Sequence, residues 1–273
     1  IVGANLADSN GADSGASFVV YGKTNGDAVD LADLQTGNEG FAINGVAAGD
    51  KSGWSVSSAG DVNGDGLDDL IVGAPNKGAG VSYVVFSNLD GETVELSDVQ
   101  AGIGGFVING ISAGDSLGRS VSSAGDVNGD GLDDLIVGNP FIGNSIGNSV
   151  VIFGKTSGTA VNLTNTTTFP GGFYIGGAST GNVAGWSVSS AGDVNGDGLD
   201  DVVVGAYGTG PNGTLSGASY VVFGKTNNSK VNLPNIAAGN GGFVINGQSA
   251  EDESGWAVSS AGDVNGDGLD DLI

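Results

Sequence analysis

An all-β fold assembled from repeated antiparallel sheets follows from three features of this 273-residue sequence. The first is a stretch, Ser57-Ser58-Ala59-Gly60-Asp61-Val62-Asn63-Gly64-Asp65-Gly66-Leu67-Asp68-Asp69-Leu70, that returns almost letter for letter at 122–135, 189–202 and 259–272. The second is composition: 54 Gly, with Val, Ile, Phe and Asn-Gly or Asp-Gly pairs, mark short strands and tight turns, and no G-X-Y period makes the chain collagen-like. No segment reads as a long amphipathic helix. The third is constancy of spacing between four marker positions in every unit. Together these predict a β-propeller built from four-stranded antiparallel blades, with four repeats in this chain.

Each unit offers four strands, A to D. Strand A (54–60) follows the marker Gly53 and carries mostly Ser, Ala and Gly. Small side chains suit the innermost strand of a radial array, where blades converge. Strand B (70–73) is apolar on both faces, as a strand sandwiched between neighbouring sheets should be. Strands C (Tyr83 to Phe86) and D (Phe106 to Asn109) recur at 18–21, 150–153 and 220–223, and at 41–44, 173–176 and 243–246. From the end of C to the start of D is 20 residues in every unit, and from D to the position after the inner Gly is 13. Length varies only between B and C, from 10 to 15 residues. In an antiparallel A-B-C-D blade, the A–B and C–D turns share one face and the B–C and D–A turns share the other. The repeated acidic turn therefore lies on the constant face, and variability lies opposite, where recognition usually sits on a rigid scaffold.

The chain reads as a single repeat domain, 1–273, with units at about 1–52, 53–117, 118–184 and 185–254. Ile1-Val2-Gly3-Ala4 matches Ile71-Val72-Gly73-Ala74, so the chain starts in strand B. Residues 255–273 supply an inner strand and acidic loop that either complete the first blade or continue the array.

The net charge is −24, from 31 acids and 7 bases. Such a surface repels phosphate backbones and anionic lipid, which argues against nucleic-acid or membrane-surface partners. No apolar run reaches the roughly 18 residues of a membrane span. The chain has no Cys, His or Met. Disulfides are excluded, as are Ser-His or Cys-His nucleophiles and His-ligated zinc, so we expect no enzyme activity. The paired Asp residues that could serve a glycosidase have another explanation.

In Asp61-x-Asn63-x-Asp65-Gly66-Leu67-x-Asp69, alternate residues can project hard oxygens into one pocket, as Ca²⁺ requires. We assign the Asp61, Asn63 and Asp65 side chains, the Leu67 carbonyl and a closing Asp69 carboxylate as ligands, with Gly66 permitting the turn. The same roles fall to Asp126, Asn128, Asp130, Leu132 and Asp134. They recur at Asp193, Asn195, Asp197, Leu199 and Asp201, and at Asp263, Asn265, Asp267, Leu269 and Asp271, giving four expected Ca²⁺ sites. An EF-hand needs an acid at position 12, which here is Val72, Val137 or Val204. The acid at position eight (Asp68 and its equivalents) is expected to point outward. The bland alternative is an Asp-Asn-Gly turn without metal. Four matching loops, each packing three carboxylates that repel one another without a cation, favour calcium. Mg²⁺ fits less well because it keeps its water shell.

The Gly-x-Ser-Val-Ser-Ser-Ala-Gly-Asp strand, the Asp-x-Asn-x-Asp-Gly-x-x-Asp loop and Leu70-Ile-Val-Gly-Ala-Pro75 resemble the FG-GAP repeats of the integrin α-subunit propeller and its bacterial extracellular relatives. The resemblance spans the whole chain. It implies a β-propeller with calcium in the A–B turns and ligand binding on the opposite face. Two departures stand out: integrin propellers have more blades than the four units here, and their loops usually carry Asp where these carry Asn. Copies this alike point to recent duplication, more typical of large bacterial surface proteins.

Trp54, Trp186 and Trp256 occupy equivalent positions, with Arg119 in the remaining unit. A ring of Trp can stack sugars; packing between blades is the expected role. Glu251-Asp252-Glu253, aligned with Asp50 and Asp115, is expected to be a solvated turn rather than a second cation site or a dock for a basic partner. Asn162, Asn165, Asn212 and Asn227 lie in N-x-Ser/Thr contexts that Asn- and Thr-rich loops produce by chance. The functional expectation is a calcium-stabilised extracellular or cell-surface interaction module of an adhesin, surface layer or matrix. Its partners would be a protein, a glycan or further copies of itself. The alternative is a non-catalytic propeller within a large secreted hydrolase.

Overall fold

The computed structural model describes residues 1–36, 39–87, 91–164 and 168–273. In chain order, the first unit gives β1 (Val2–Ala4), β2 (Ala16–Val20) and β3 (Gly40–Asn44). The second gives β4 (Ser55–Gly60), β5 (Asp69–Ala74), β6 (Val81–Val85), β7 (Val94–Glu95) and β8 (Gly105–Asn109). The third gives β9 (Val121–Gly125), β10 (Asp134–Asn139), β11 (Asn148–Ile152), β12 (Val161–Asn162) and β13 (Gly172–Gly176). The fourth gives β14 (Ser187–Gly192), β15 (Asp201–Ala206), β16 (Ala218–Val222), β17 (Val231–Asn232) and β18 (Gly242–Asn246), followed by β19 (Ser260–Gly262) and β20 (Asp271–Leu272). The fold is all-β apart from short turns of helix such as α1 (Leu96–Gln100), α2 (Ile142–Ser145) and α3 (Leu233–Ala237).

Each full unit is an antiparallel A-B-C-D sheet, as in β4-β5-β6-β8 and β9-β10-β11-β13. The expected strands are present, longer or shorter by one or two residues at their ends, except that the last inner strand, β19, begins only at Ser260 rather than at the equivalent of Trp54. Two details go beyond the sequence reading. A one-residue bulge interrupts each A–B ladder, at Ala59, Ala124, Ala191 and Ala261. In addition, β7, β12 and β17 add a short parallel strand to the outer edge of the preceding unit, pairing with β3, β8 and β13. The residues that follow anchor this strap, with Leu96 and Val99 of α1, Leu163, and Leu233 and Ile236 of α3 all buried. The sheets are therefore mixed.

Inner strands β4, β9, β14 and β19 lie side by side. Their serines explain why small polar side chains belong there. Ser55 Oγ accepts from the Val121 N–H at 3.1 Å, and Ser190 Oγ donates to the Ala124 carbonyl at 3.3 Å. The core is a series of slabs, one between each pair of neighbouring sheets. Ile71, Val84, Phe106 and Ile108 of the second unit pack with Leu135, Val137, Val150 and Ile152 of the third. Among the described residues, no ladder joins β19 to β1: β19 pairs with β20, and β1 pairs with β2. The flanks of the outermost sheets, including Val2, Phe243 and Ile245, are correspondingly exposed.

Candidate metal loops and the opposite face

The acidic loop leaves strand A at Gly60 and enters strand B at Asp69, so both ends are fixed by the A–B ladder. Inside it, Asp61 folds back on its own backbone. Its Oδ1 accepts N–H groups of Gly64 (2.7 Å) and Asp65 (3.0 Å), and its Oδ2 accepts that of Gly66 (2.9 Å). Gly66 has φ +88°, a conformation disfavoured for residues with a Cβ, so the predicted role of this glycine holds. Asp65 Oδ1 accepts from the Leu67 N–H at 2.9 Å. Asp69 is fully buried; it accepts from the N–H of Val62 at 3.2 Å and of Ser87, at the end of strand C, at 2.9 Å. The Asn63 amide donates to both Asp69 oxygens, at 3.3 and 3.2 Å.

The other loops repeat this pattern. Asp126, Asp193 and Asp263 each accept three N–H groups of their own loop. Asp130, Asp197 and Asp267 cap the N–H of Leu132, Leu199 and Leu269. Asn128, Asn195 and Asn265 donate to Asp134, Asp201 and Asp271. Among the described residues, no donor reaches the carbonyls of Leu67, Leu132, Leu199 or Leu269. The predicted residues thus share one loop each, but their carboxylates face backbone amides. Among the described residues, no three acidic side chains converge closely enough to hold a metal ion.

Electrostatics and donor chemistry nevertheless suit a hard cation. Burial, followed by the neighbouring Asp65 and Asp61 charges, raises the Asp69 carboxyl to about 6. The same causes raise Asp134 to about 8 and Asp201 to about 7. Asp193 moves the other way: burial raises it, but the N–H groups of its own loop outweigh that and lower it. The two ion pairs among the described residues, Lys23–Glu39 and Lys77–Asp50, lie outside the loops. Each loop therefore gathers carboxylate, amide and carbonyl oxygens with no basic partner, a donor set that fits Ca²⁺. To present Oδ1 to an ion beside Asp69, the Asn63 amide has to turn over.

Position eight corrects the sequence reading. Asp133, Asp200 and Asp270 do not point outward; each reaches the preceding loop. Asp133 Oδ2 accepts from the Asp61 N–H at 2.8 Å, while the Asp133 N–H donates to the Asp61 carbonyl at 3.1 Å. Asp200 clamps Asp126 at 2.8 Å, and Asp270 clamps Asp193 at 3.1 Å. Asp68, whose unit has no preceding loop in this chain, is exposed as predicted.

The opposite face is built from the B–C and D–A turns, which bridge at Gly15–Ser52, Gly80–Leu117, Gly147–Ala184 and Gly217–Ser254. There the Trp ring does pack between units. Trp186 meets Trp256 at 4.8 Å and Tyr207 at 4.9 Å, and Arg119 lies 4.0 Å over Trp186 and 5.0 Å over Trp54. Phe141 and Tyr207 join this cluster from the variable B–C turns, where no periodic signal announced them. Asp252 is exposed and caps the Ser249 N–H, as a solvated turn does, whereas its equivalents are not solvated: Asp115 is buried and caps the Ser112 N–H, and Asp50 pairs with Lys77 at 2.8 Å. Asn162 and Asn212 are held in hydrogen bonds to Asn109 and Gly247, and Asn227 accepts from Ser229. Asn165 lies outside the described residues.

Among the described residues, no helix is long and apolar enough to cross a membrane. Integrin alpha-5 of Xenopus laevis is 31% identical over 164 residues, covering 57% of this chain and 15% of that protein. Integrin alpha pat-2 of Caenorhabditis elegans is 30% identical over 241 residues, 82% of this chain and 18% of that protein. A phosphatidylinositol-glycan-specific phospholipase D of Bos taurus is 30% identical over 226 residues, 78% of this chain and 25% of that protein. The chain thus spans a quarter or less of these relatives. Residues 52–85, 117–153 and 184–222 match the FG-GAP repeat, and with the integrin relatives they support an integrin-like FG-GAP propeller.

Proposed function

We propose that this chain is a calcium-stabilised extracellular interaction or structural module that recognises its partner on the face opposite the acidic loops. The observation that carries the reading is the separation of the two faces. One holds four near-identical loops of hard oxygen donors with no cationic partner among the described residues. The other holds B–C turns that differ in length and sequence, and it exposes aromatic side chains. The integrin relatives support a cell-surface or matrix setting, and the near identity of the copies supports a bacterial surface protein.

In each loop Asp61, Asn63, Asp65, the Leu67 carbonyl and Asp69, or their equivalents, would hold the ion. A bound Ca²⁺ neutralises carboxylates that otherwise repel one another, and so ties strand A to strand B. Calcium titration of the chelated chain by calorimetry is expected to give four sites; a chain that takes up no calcium at millimolar concentration overturns the metal reading.

A second reading has its own support in the phospholipase D relative: a non-catalytic propeller inside a larger secreted hydrolase. It shares the metal loops and the lack of a Ser-His or Cys-His nucleophile, since the sequence has neither His nor Cys. A hydrolase domain elsewhere in the full-length protein distinguishes the two.

A further inference from the structure

The sequence contains a single arginine, Arg119, set among 31 acidic residues. Among the described residues its guanidinium has no carboxylate or other hydrogen-bond acceptor, and the two ion pairs use lysines. Instead it lies over two indoles, 4.0 Å from the Trp186 ring centroid and 5.0 Å from that of Trp54, with Phe141 at 5.8 Å. Rings stacked on a guanidinium engage its faces, whereas its N–H donors lie in its plane. With no acceptor among the described residues and a half-buried side chain, the Arg119 N–H donors are left to an outside acceptor, in the fork geometry that matches a carboxylate. Trp54, Phe141 and Trp256 around it are 39%, 37% and 50% exposed, and the ladder continues through Trp186–Trp256 and Tyr207–Trp256 at 4.8 and 4.7 Å.

We propose that this Arg119–aromatic ladder is a binding site for a glycan bearing one carboxylated sugar. The carboxylate would meet the guanidinium edge, and the sugar rings would lie against the flanking indole and phenyl faces. Two observations select this occupant. The aromatic faces offer flat apolar area beyond the charge contact, which a pyranose ring fills and an Asp or Glu side chain does not. The net charge of −24 disfavours a dense polyanion, so an isolated carboxylate on an otherwise neutral glycan fits better. The assignment rests on the proposed recognition face and narrows it to a ligand class.

The test uses residues 1–273 in calcium, with tryptophan fluorescence as the readout. The probes are a trisaccharide ending in glucuronate, the same trisaccharide ending in glucose, and a Glu-rich peptide. The acidic sugar is expected to bind at least about tenfold more tightly than the neutral one, the scale of one charge-assisted hydrogen-bond pair. Arg119→Trp installs the residue found at the equivalent position of the other units, so the fold is retained while the preference disappears. Trp256→Ala is expected to weaken both sugars. Equal binding of the two sugars, a preference that survives in Arg119→Trp, or Arg119-dependent binding of the peptide alone would each overturn the proposal. Adhesion to matrix-coated surfaces separates it from the broader reading. Adhesion undiminished in Arg119→Trp overturns the Arg119 site alone, and no adhesion by either protein overturns the interaction-module reading as well.

Discussion

Adjacent aspartates in each loop do different work, and only their surroundings tell them apart. Asp201 is fully buried and accepts the Gly224 N–H at 2.8 Å, whereas Asp200 leaves its own loop to cap Asp126. Asp200→Ala strips the Asp126 N–H of its partner and is expected to cost about 1–2 kcal/mol in denaturant unfolding. Asp68→Ala removes the same atoms from a carboxylate with no described partner, and should stay within about 0.5 kcal/mol. Equal costs would mean that the clamp contributes nothing. The clamp also accounts for Gly125. At φ +69°, a Cβ there would fall on the Asp200 carboxylate, so Gly125→Ala carries both a left-handed penalty and a displaced clamp. The conformational part alone is about 1–2 kcal/mol, so a Gly125→Ala cost no larger than that would mean that displacing the clamp adds nothing.

At the level of elements, identical residues differ in burial according to whether a neighbouring sheet covers them. Ile108 of β8 is 0% exposed, while Ile245 of β18, its equivalent, is 41% exposed. Ile108→Ala should therefore cost about 2–5 kcal/mol by opening a cavity. Ile245→Ala should cost under about 1 kcal/mol, because 41% of its surface already meets water. Strands, loops and the two faces were legible because the copies repeat them at fixed spacing. The parallel straps were equally repeated, as Val-x-Leu at 94–96, 161–163 and 231–233, yet two-residue strands carry no periodicity of their own, and the same letters at 29–31 form no strand. What they pair with is the preceding unit, a tertiary fact that local pattern does not encode. The direction of position eight was hidden for the same reason, since an Asp in a turn reads alike whether its acceptor oxygens face water or the next loop. The Arg119 ladder was half visible: the Trp positions repeat, but Phe141 and Tyr207 come from turns that do not.

For the whole molecule, the decisive quantity is how the acidic charge is held. Of 31 acids, 16 stand in four loops, and four Ca²⁺ would bring the net charge from −24 to −16. The clamps from Asp133, Asp200 and Asp270 link each loop to the one before it, so order in one loop supports its neighbour. If free calcium reaches 100 times the dissociation constant, each site adds about 2.7 kcal/mol, and two such sites already match the lower end of ordinary domain stability, about 5 kcal/mol. Chelation should accordingly lower the melting temperature steeply, and re-addition of calcium should restore it. Asp134→Asn removes a closing carboxylate from a loop flanked on both sides by clamped neighbours, and is expected to reduce the calorimetric stoichiometry by one and lower the calcium-loaded melt. Asp271→Asn alters a loop with a neighbour on one side only, so its melt should fall less at the same loss of one ion. A melting temperature indifferent to excess chelator, with both variants unchanged, would mean that the loop N–H groups alone hold these turns and that calcium is not what staples the array.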